Sequence, residues 1–317
     1  MKAIVTGASG FLGSHLVANL IKEGFQVAAI GRKNVSDLPA IRQKNLTGSN
    51  YFIFDLDSPD HIKSKLKESG FFGDDLKYFF HLAWGGNNGL SDIDIEAQSK
   101  NIGRTIATYD IAKDLNVDRY IFCGTMEESF AEVYTNLDYN NDTKYNRHVV
   151  YALAKISARH ALKMSYLTNG PELLFATNSH VMGIGDTRDS FLQVTLRKIL
   201  NNEDIFMFSR STGKQIFDVI DVKDCAKAYI SIASKGILGT SYWIGSGEPK
   251  QLKEYVEIMN NLYSKVKIKY GNSLYDDVLL DKKIFNTDKI KLDTGFLPSL
   301  SFSDTVVQLV DYLRSQK

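Results

Sequence analysis

Cysteine is scarce in this 317-residue chain: only Cys123 and Cys225 occur, about a hundred positions apart and both in apolar segments. They read as buried thiols, which fits a reducing compartment. No Cys-x-x-Cys is present, and the six histidines never stand three or four residues apart, so the sequence offers no metal site. Charge of one sign is missing too. With 38 basic against 37 acidic residues the net charge is +1, which excludes a partner held by a strong field, such as nucleic acid or an anionic membrane. No apolar run approaches the roughly 18 residues of a membrane span, and the first residues begin a strand with none of the marks of a secretory signal. A cytoplasmic protein is expected. Repeats and low-complexity segments are also lacking, although "TNLDYNNDTKYN" (135–146) is polar enough for a long loop.

What the chain does have is 44% apolar residues, enough for a substantial core. In the first half, "KAIVT", "QVAAI", "YFIF", "YFFHLA" and "RYIFCG" read as strands separated by helical patterns. This alternation predicts an α/β fold, a doubly wound parallel sheet with helices on both faces. Leu12, Leu16, Val17, Leu20 and Ile21 keep one helical face apolar up to Gly24, which can take a left-handed cap conformation. Further helices are expected through Ile102, Ile106, Tyr109 and Ala112, over 151–168, near 187–201, from 222 and over 250–264. Short strands are expected near 214–219 and at "SYWIG", before a looser tail containing "TGFLPSLSF". Residues 1–175 are read as a dinucleotide-binding domain to which strands near 214–246 return. Residues 176–317 form mainly a smaller substrate-binding lobe.

Gly7, Gly10 and Gly13 follow the first strand and open the first helix. Phosphate oxygens reach backbone N–H groups and the positive end of a helix only where no side chain intervenes. The spacing alone is a weak signal, but strand, glycines, amphipathic helix and second strand together form a dinucleotide-binding unit. After the second strand a carboxylate would bind the adenosine ribose and repel a 2′-phosphate. Here Gly31 and Arg32 stand instead, with Lys33 beside them. The expected cofactor is therefore NADP(H) in preference to NAD(H). Asp55, ending the third strand, is placed either to hold the adenine amino group or to face water.

A Tyr and a Lys four residues apart share a helical face, and the ammonium can pull a phenol below its usual pKa of about 10. Three pairs have this spacing: Tyr109/Lys113, Tyr151/Lys155 and Tyr263/Lys267. Only Tyr151 follows the fifth strand by a loop and a helix start, with Thr125 at that strand's carboxyl end. Ligands of such sheets lie beyond those ends.

"TGASGFLG", "DLD", "HLAW", "NIGRT" and "Y-A-L-A-K", with "FDVIDVKDCAKAY" and "SYWIGSGEPKQL" later, resemble the extended short-chain dehydrogenase/reductases, the NAD-dependent epimerase/dehydratase family. The resemblance covers nearly the whole chain. It implies a pyrophosphate cradle of Thr6, Gly7, Ser9, Gly10, Phe11, Leu12 and Gly13. Arg32, Lys33, Asp55 and Leu56 would lie at the adenosine end, and Leu82, Ala83 and Trp84 along the fourth strand. It gives Thr125, Tyr151 and Lys155 the catalytic positions, with Lys155 also on the nicotinamide ribose, and gives Asn101 a bracing role.

Departures from the family pattern refine this. Sugar dehydratases carry Asp-Glu after the catalytic Thr, whereas Met126 and Glu127 stand here, which disfavours elimination. Glu127 and Glu128 are left as sugar-binding groups or a solvated pair. "HLAWGG", "CGTMEES" and "IFDVIDVKD" look most like the branch that reduces nucleotide-linked 4-keto-6-deoxyhexoses, of the CDP-abequose synthase type. Phe217 replaces the arginine that many relatives use for the substrate diphosphate; Lys214, Lys198 and Arg197 are possible compensations or simply helix-surface residues. Asn178 or His180 takes the place of a family asparagine near the nicotinamide and sugar. The loop of Gly85, Gly86, Asn87 and Asn88 is expected to border the sugar, together with Thr125, Met126 and Glu127. The reading is an NADPH-dependent oxidoreductase of a nucleotide sugar that feeds polysaccharide synthesis. Its rivals are an epimerase or dehydrogenase on the same scaffold and a non-catalytic NADP(H)-binding regulator. The family implies a homodimer through the helices over 93–115 and 151–168, whose apolar faces serve equally well as core.

Overall fold

The computed structural model describes residues 1–86, 92–135, 148–167, 170–206, 212–271 and 280–316. The polar stretch at 136–147 and Asn87 and Asn88 lie outside these. In chain order the first half is β1 (Lys2–Thr6), α1 (Phe11–Lys22), β2 (Gln26–Gly31), α2 (Ala40–Leu46), β3 (Asn50–Ile53) and α3 (Pro59–Glu68). There follow β4 (Leu76–His81), α4 (Ile95–Asp114), β5 (Arg119–Thr125), α5 (Glu127–Thr135), α6 (Val149–Tyr166) and β6 (Glu172–Asn178). The second half comprises β7 (His180–Met182), α7 (Phe191–Leu200), β8 (Ile205–Phe206), β9 (Ile216–Phe217), β10 (Val219–Asp221) and α8 (Val222–Lys235). It ends with β11 (Ser241–Ile244), β12 (Lys250–Gln251), α9 (Leu252–Tyr263), β13 (Ile268–Lys269), α10 (Asp288–Thr294) and α11 (Phe302–Ser315).

Seven strands form one sheet in the order β11-β6-β5-β4-β1-β2-β3, and every neighbouring pair is parallel. Such a sheet must be covered on both faces, and its strands show how. Ala3 and Val5 of β1 face the core shared with α1 and α8, where Leu16, Val17, Leu20 and Cys225 are buried. Ile4 faces the opposite core with Ile62 of α3, Ile111 of α4 and Ala158 of α6. The two-residue side-chain period thus splits one apolar run between two layers. Helix α1 ends at Gly24, whose φ of +84° is the left-handed conformation, and Gly24 N–H donates to Ile21 O.

The second half builds a separate core in which α7, α9 and α11 bury Leu196, Met259, Val306 and Leu309 against Met182 and Val219. Among the described strands of the 214–246 stretch only β11 joins the main sheet, because β9 pairs with β12 and β10 with β7. The tail is more regular than its composition suggests. A capping box between Ser301 and Asp304 starts α11, and Gly295 in the left-handed conformation ends α10.

The chain builds outward from β1 to β3 on one side and from β4 to β6 on the other. Its direction reverses between β1 and β4, which leaves a crevice beyond their carboxyl ends.

Candidate active site

Two cavities open along that crevice. The first, about 220 Å³, is bounded by the β1–α1 turn, by Gly31 and Arg32 after β2, by Asp55 and Leu56 after β3, and by Leu82–Gly85 with Asn101 and Arg104. The second, about 420 Å³, is bounded by Phe11, Leu12, Gly13, Cys123, Thr125, Met126, Glu127, Tyr151, Asn178, His180, Arg42 and Arg188. Gly7, Gly10 and Leu82 border both, so the two meet at the glycine turn.

The glycines are needed for two distinct reasons. Gly7 has a φ of +72°, and a Cβ there would stand 2.8 Å from Ala83 N; one on Gly13 would stand 2.2 Å from Gly7 O. Both hold the turn tightly between α1 and β4. Gly10 is the N-cap of α1 and makes no side-chain cap, so the helix start is free to meet an anion. This uncapped N-terminus, centred between two cavities, suits a dinucleotide pyrophosphate. Thr6 Oγ1 is 2.9 Å from His81 Nδ1 and accepts from Ala83 N–H at 3.3 Å. Complete burial drives His81 down to about 3, so it serves as a neutral peg between strands.

At the first cavity's outer end, Gly31 leaves no room for a side chain. A Cβ there would lie 2.2 Å from the Tyr51 hydroxyl and 2.7 Å from Ser9 Oγ. The Tyr51 hydroxyl donates to Lys33 O at 2.8 Å. Lys33 itself lines neither cavity, while Arg32, Asp55, Leu56 and Ser9 line the first. Asn101 braces the β4 exit through two 2.8 Å bonds, Nδ2 to Gly85 O and Gly85 N–H to Oδ1. Gly85 borders the first cavity and Gly86 neither, so the described half of that loop does not reach the chamber of Thr125 and Tyr151.

In the second cavity, burial pushes the Tyr151 phenol well up, against the smaller opposing pull of the Thr125 side chain. Lys155 Nζ donates to Cys123 O at 2.8 Å and sits 3.8 Å from the Trp84 ring centroid. Burial lowers that ammonium to about 8. The ammonium is 5.9 Å from the Tyr151 ring centroid, so the expected depression of the phenol gives way to desolvation. Trp84 packs edge-on to Tyr151 at 6.0 Å and donates to Gln98 Oε1 at 2.8 Å.

Asn178 Nδ2 donates to Tyr229 Oη at 3.0 Å and to Cys123 Sγ at 3.3 Å. Its side chain is thus anchored at the cavity wall. His180 Nε2 is buried with no hydrogen-bond partner among the described residues, and burial lowers the ring to about 4. Among the described residues no group of three His, Cys, Asp or Glu is placed to hold a metal, and no helix is long and apolar enough to cross a membrane.

Several site residues were missed by sequence reasoning. Arg42 donates to Gly185 O and Ser9 O, and Arg188 pairs with Asp186 at 2.8 Å. Both line the cavity of Tyr151, whereas Lys214, Lys198 and Arg197 do not. Glu128 is neither solvated nor sugar-facing: it forms a buried ion pair with Arg159 and accepts from Thr125 N–H. A signal for Arg159 existed, since it follows Tyr151 and Lys155 at successive four-residue steps along one helical face.

Comparison with known proteins agrees with this architecture. The chain is 26% identical over 312 residues to CDP-abequose synthase of Salmonella muenchen, covering 95% of this chain and 92% of that protein. It is 27% identical over 280 residues to dTDP-6-deoxy-L-talose 4-dehydrogenase (NAD(+)) of Aggregatibacter actinomycetemcomitans, covering 86% and 94%. The fold matches UDP-glucose 4-epimerase of Thermotoga maritima with a TM-score of 0.78 at 18% identity, covering 100% and 99% of the two chains. It also matches UDP-glucuronic acid 4-epimerase of Bacillus cereus, solved with UDP-glucuronic acid and NAD, at 0.76 and 20%, covering 100% of each. The sequence model of the NAD dependent epimerase/dehydratase family spans residues 3–245. With the glycine turn, the sheet order and the motif sequence in place, this chain belongs to that family, and it is an enzyme of the extended short-chain dehydrogenase/reductase type.

Proposed function

We propose that the protein is an NADPH-dependent reductase of a nucleotide-diphosphate 4-keto-6-deoxyhexose. The observation that carries the reading is the meeting of Thr125 and Tyr151 in one cavity that continues, past the glycine turn, into another rimmed by Arg32. The relatives named for CDP-abequose and for dTDP-6-deoxy-L-talose 4-dehydrogenation support a nucleotide-linked deoxyhexose. Gly31 and Arg32 support the phosphorylated cofactor, since the end of β2 itself carries no carboxylate to repel a 2′-phosphate.

When bound, the nicotinamide ring supplies the hydride. Tyr151 acts as proton donor: its raised phenol stays protonated at neutral pH, the state required to protonate a carbonyl oxygen as it gains negative charge. Thr125, whose Oγ1 accepts from Glu127 N–H at 3.3 Å, orients that oxygen from the tip of β5. Lys155 holds the strand through Cys123 O; it lines neither cavity, and contact with the cofactor ribose is the role we assign to it when the cofactor is bound. Met126 in place of an acid supports reduction over elimination. Arg188 and Arg42, which line the Tyr151 cavity, are our assignment for binding the substrate phosphates. The two thiols support a cytoplasmic setting, and the paired helices α4 and α6 are our assignment for a homodimer interface.

The test mixes purified protein with NADPH and a CDP- or dTDP-linked 4-keto-6-deoxyglucose. Stoichiometric loss of reduced-nicotinamide absorbance with the ketosugar is the expected result. Isomerisation of a sugar nucleotide without net cofactor oxidation identifies an epimerase and overturns the reading.

A further inference from the structure

Helix α4 sends a side chain into the first cavity that neither the glycine turn nor the strand ends announce. Arg104 donates from Nε and Nη2 to the two carboxylate oxygens of Asp57, both at 2.6 Å. Two parallel bonds of this kind fix the plane of a guanidinium. Asp55 stands 3.5 Å from the same Nη2. The third nitrogen, Nη1, has no hydrogen-bond partner among the described residues, and a Cβ on Gly85 would stand 2.8 Å from it. The Arg104 side chain is 18% exposed against 57% for Asp57, so the arginine occupies the inner side of the pair.

The rest of the chamber is largely apolar, with Ile30, Phe54, Leu56, Leu82 and Ala83 among its walls. Arg32, at the same cavity, forms no hydrogen bond or ion pair among the described residues and is exposed, so its guanidinium is free to turn to an anion. Arg104 differs in kind. Asp57 neutralises much of its charge but leaves a rigid, weakly hydrated plane, which suits the π face of a base better than it suits a phosphate.

We propose that Arg104 is the adenine-recognising residue of this site, packing its Asp57-braced guanidinium on the purine, while Arg32 alone distinguishes the 2′-phosphate. The proposal rests on the cofactor reading above. It is tested by equilibrium binding of NADPH, NADH, 5′-AMP and reduced nicotinamide mononucleotide to the wild type, Arg104→Met, Arg104→Lys and Arg32→Met. Arg104→Met is expected to weaken the three adenine ligands by one common factor, about tenfold, and to leave reduced nicotinamide mononucleotide unchanged. Arg104→Lys, which keeps charge but not the plane, is expected to weaken 5′-AMP as well. Arg32→Met is expected to weaken NADPH alone.

A loss confined to NADPH in Arg104→Met makes Arg104 a phosphate ligand and overturns the proposal. So does unchanged affinity for all adenine ligands, or an equal loss for the mononucleotide, which marks a general disturbance of the site. A wild type that binds no dinucleotide removes the cofactor reading itself, an outcome distinct from all of these.

Discussion

The ion pair behind Thr125 gives the most demanding test of how the strand tip is held. Arg159 and Glu128 are 11% and 9% exposed, with Nε 2.7 Å from Oε2. Glu128 Oε1 accepts the Thr125 N–H at 2.8 Å. Arg159 reaches β6 through Thr177 Oγ1 at 3.1 Å and β11 through Ser241 Oγ at 2.9 Å. The pair wraps over Gly124, where a Cβ would meet both Arg159 Nη2 and Glu128 Oε1 at 2.6 Å. Glu128→Leu leaves a buried guanidinium without its carboxylate, a loss of about 3–5 kcal/mol. It also strands the Thr125 N–H, a cost of about 1–3 kcal/mol. The two overlap at one site, so a total of roughly 4–6 kcal/mol is expected from urea unfolding.

The double variant Glu128→Leu/Arg159→Met removes both charges and is expected to recover most of that stability, because apolar replacements of buried pairs are often neutral. Its turnover should nonetheless stay low, since Thr125 N–H still lacks its acceptor. Stability and activity then part company, which a purely global effect cannot produce. A single-variant loss under about 1 kcal/mol would mean the pair is effectively solvated. A double variant with wild-type turnover would mean that the pair does not hold Thr125 in place.

Tyr151→Phe should bind NADPH and unfold like the wild type but lose about 10²–10⁴ in turnover with ketosugar; wild-type rates in that variant would remove the phenol from the mechanism. Gly31→Ala should cost about 1–3 kcal/mol by crowding the Tyr51 hydroxyl. Adding Tyr51→Phe should return part of this, and no recovery would show that the clash lies elsewhere. Lys155, lowered to about 8 in the folded protein from an ordinary 10.5, binds fewer protons folded than unfolded between those values, so its contribution makes stability rise with pH across that window. The stability of the wild type relative to Lys155→Met should therefore rise, by a few kcal/mol, as pH climbs from 8 towards 10.5; a difference independent of pH would sink the assignment.

The order of strands and helices around β1 was legible because several local signals coincided. Apolar runs, the amphipathic face of α1 and three glycines all indicated one βαβ unit. The three Tyr/Lys pairs were not separable by spacing, and the structure shows how differently they sit. The Tyr109 hydroxyl donates to Pro171 O within the core, Tyr263 lies on α9, and Tyr151 lines the chamber. Glu128 pairs with a residue 31 positions away, and Arg104 with one 47 positions away. Local sequence carries no record of such distant partners, so a charged side chain looks solvated until the fold supplies its counterpart. Helix α11 is a different case. Its Ser301-x-x-Asp304 cap and the apolar series Val306, Leu309, Val310 and Leu313 were in the sequence, but the preceding "PSLSF" drew the segment towards a loop reading.

The tightness of the β1–α1 turn has a consequence for how enzymes of this build can diversify. With Gly13 pressed on Gly7, and Gly7 on the Leu82–Ala83 backbone, the centre of the cradle tolerates almost no substitution. The extremities are another matter: Arg32 and Arg188 stand on exposed segments outside the helices and strands, where replacement costs little. New cofactor or sugar preferences should therefore arise at the two ends of the groove, while its midpoint stays as a fixed hinge pin around which they are exchanged.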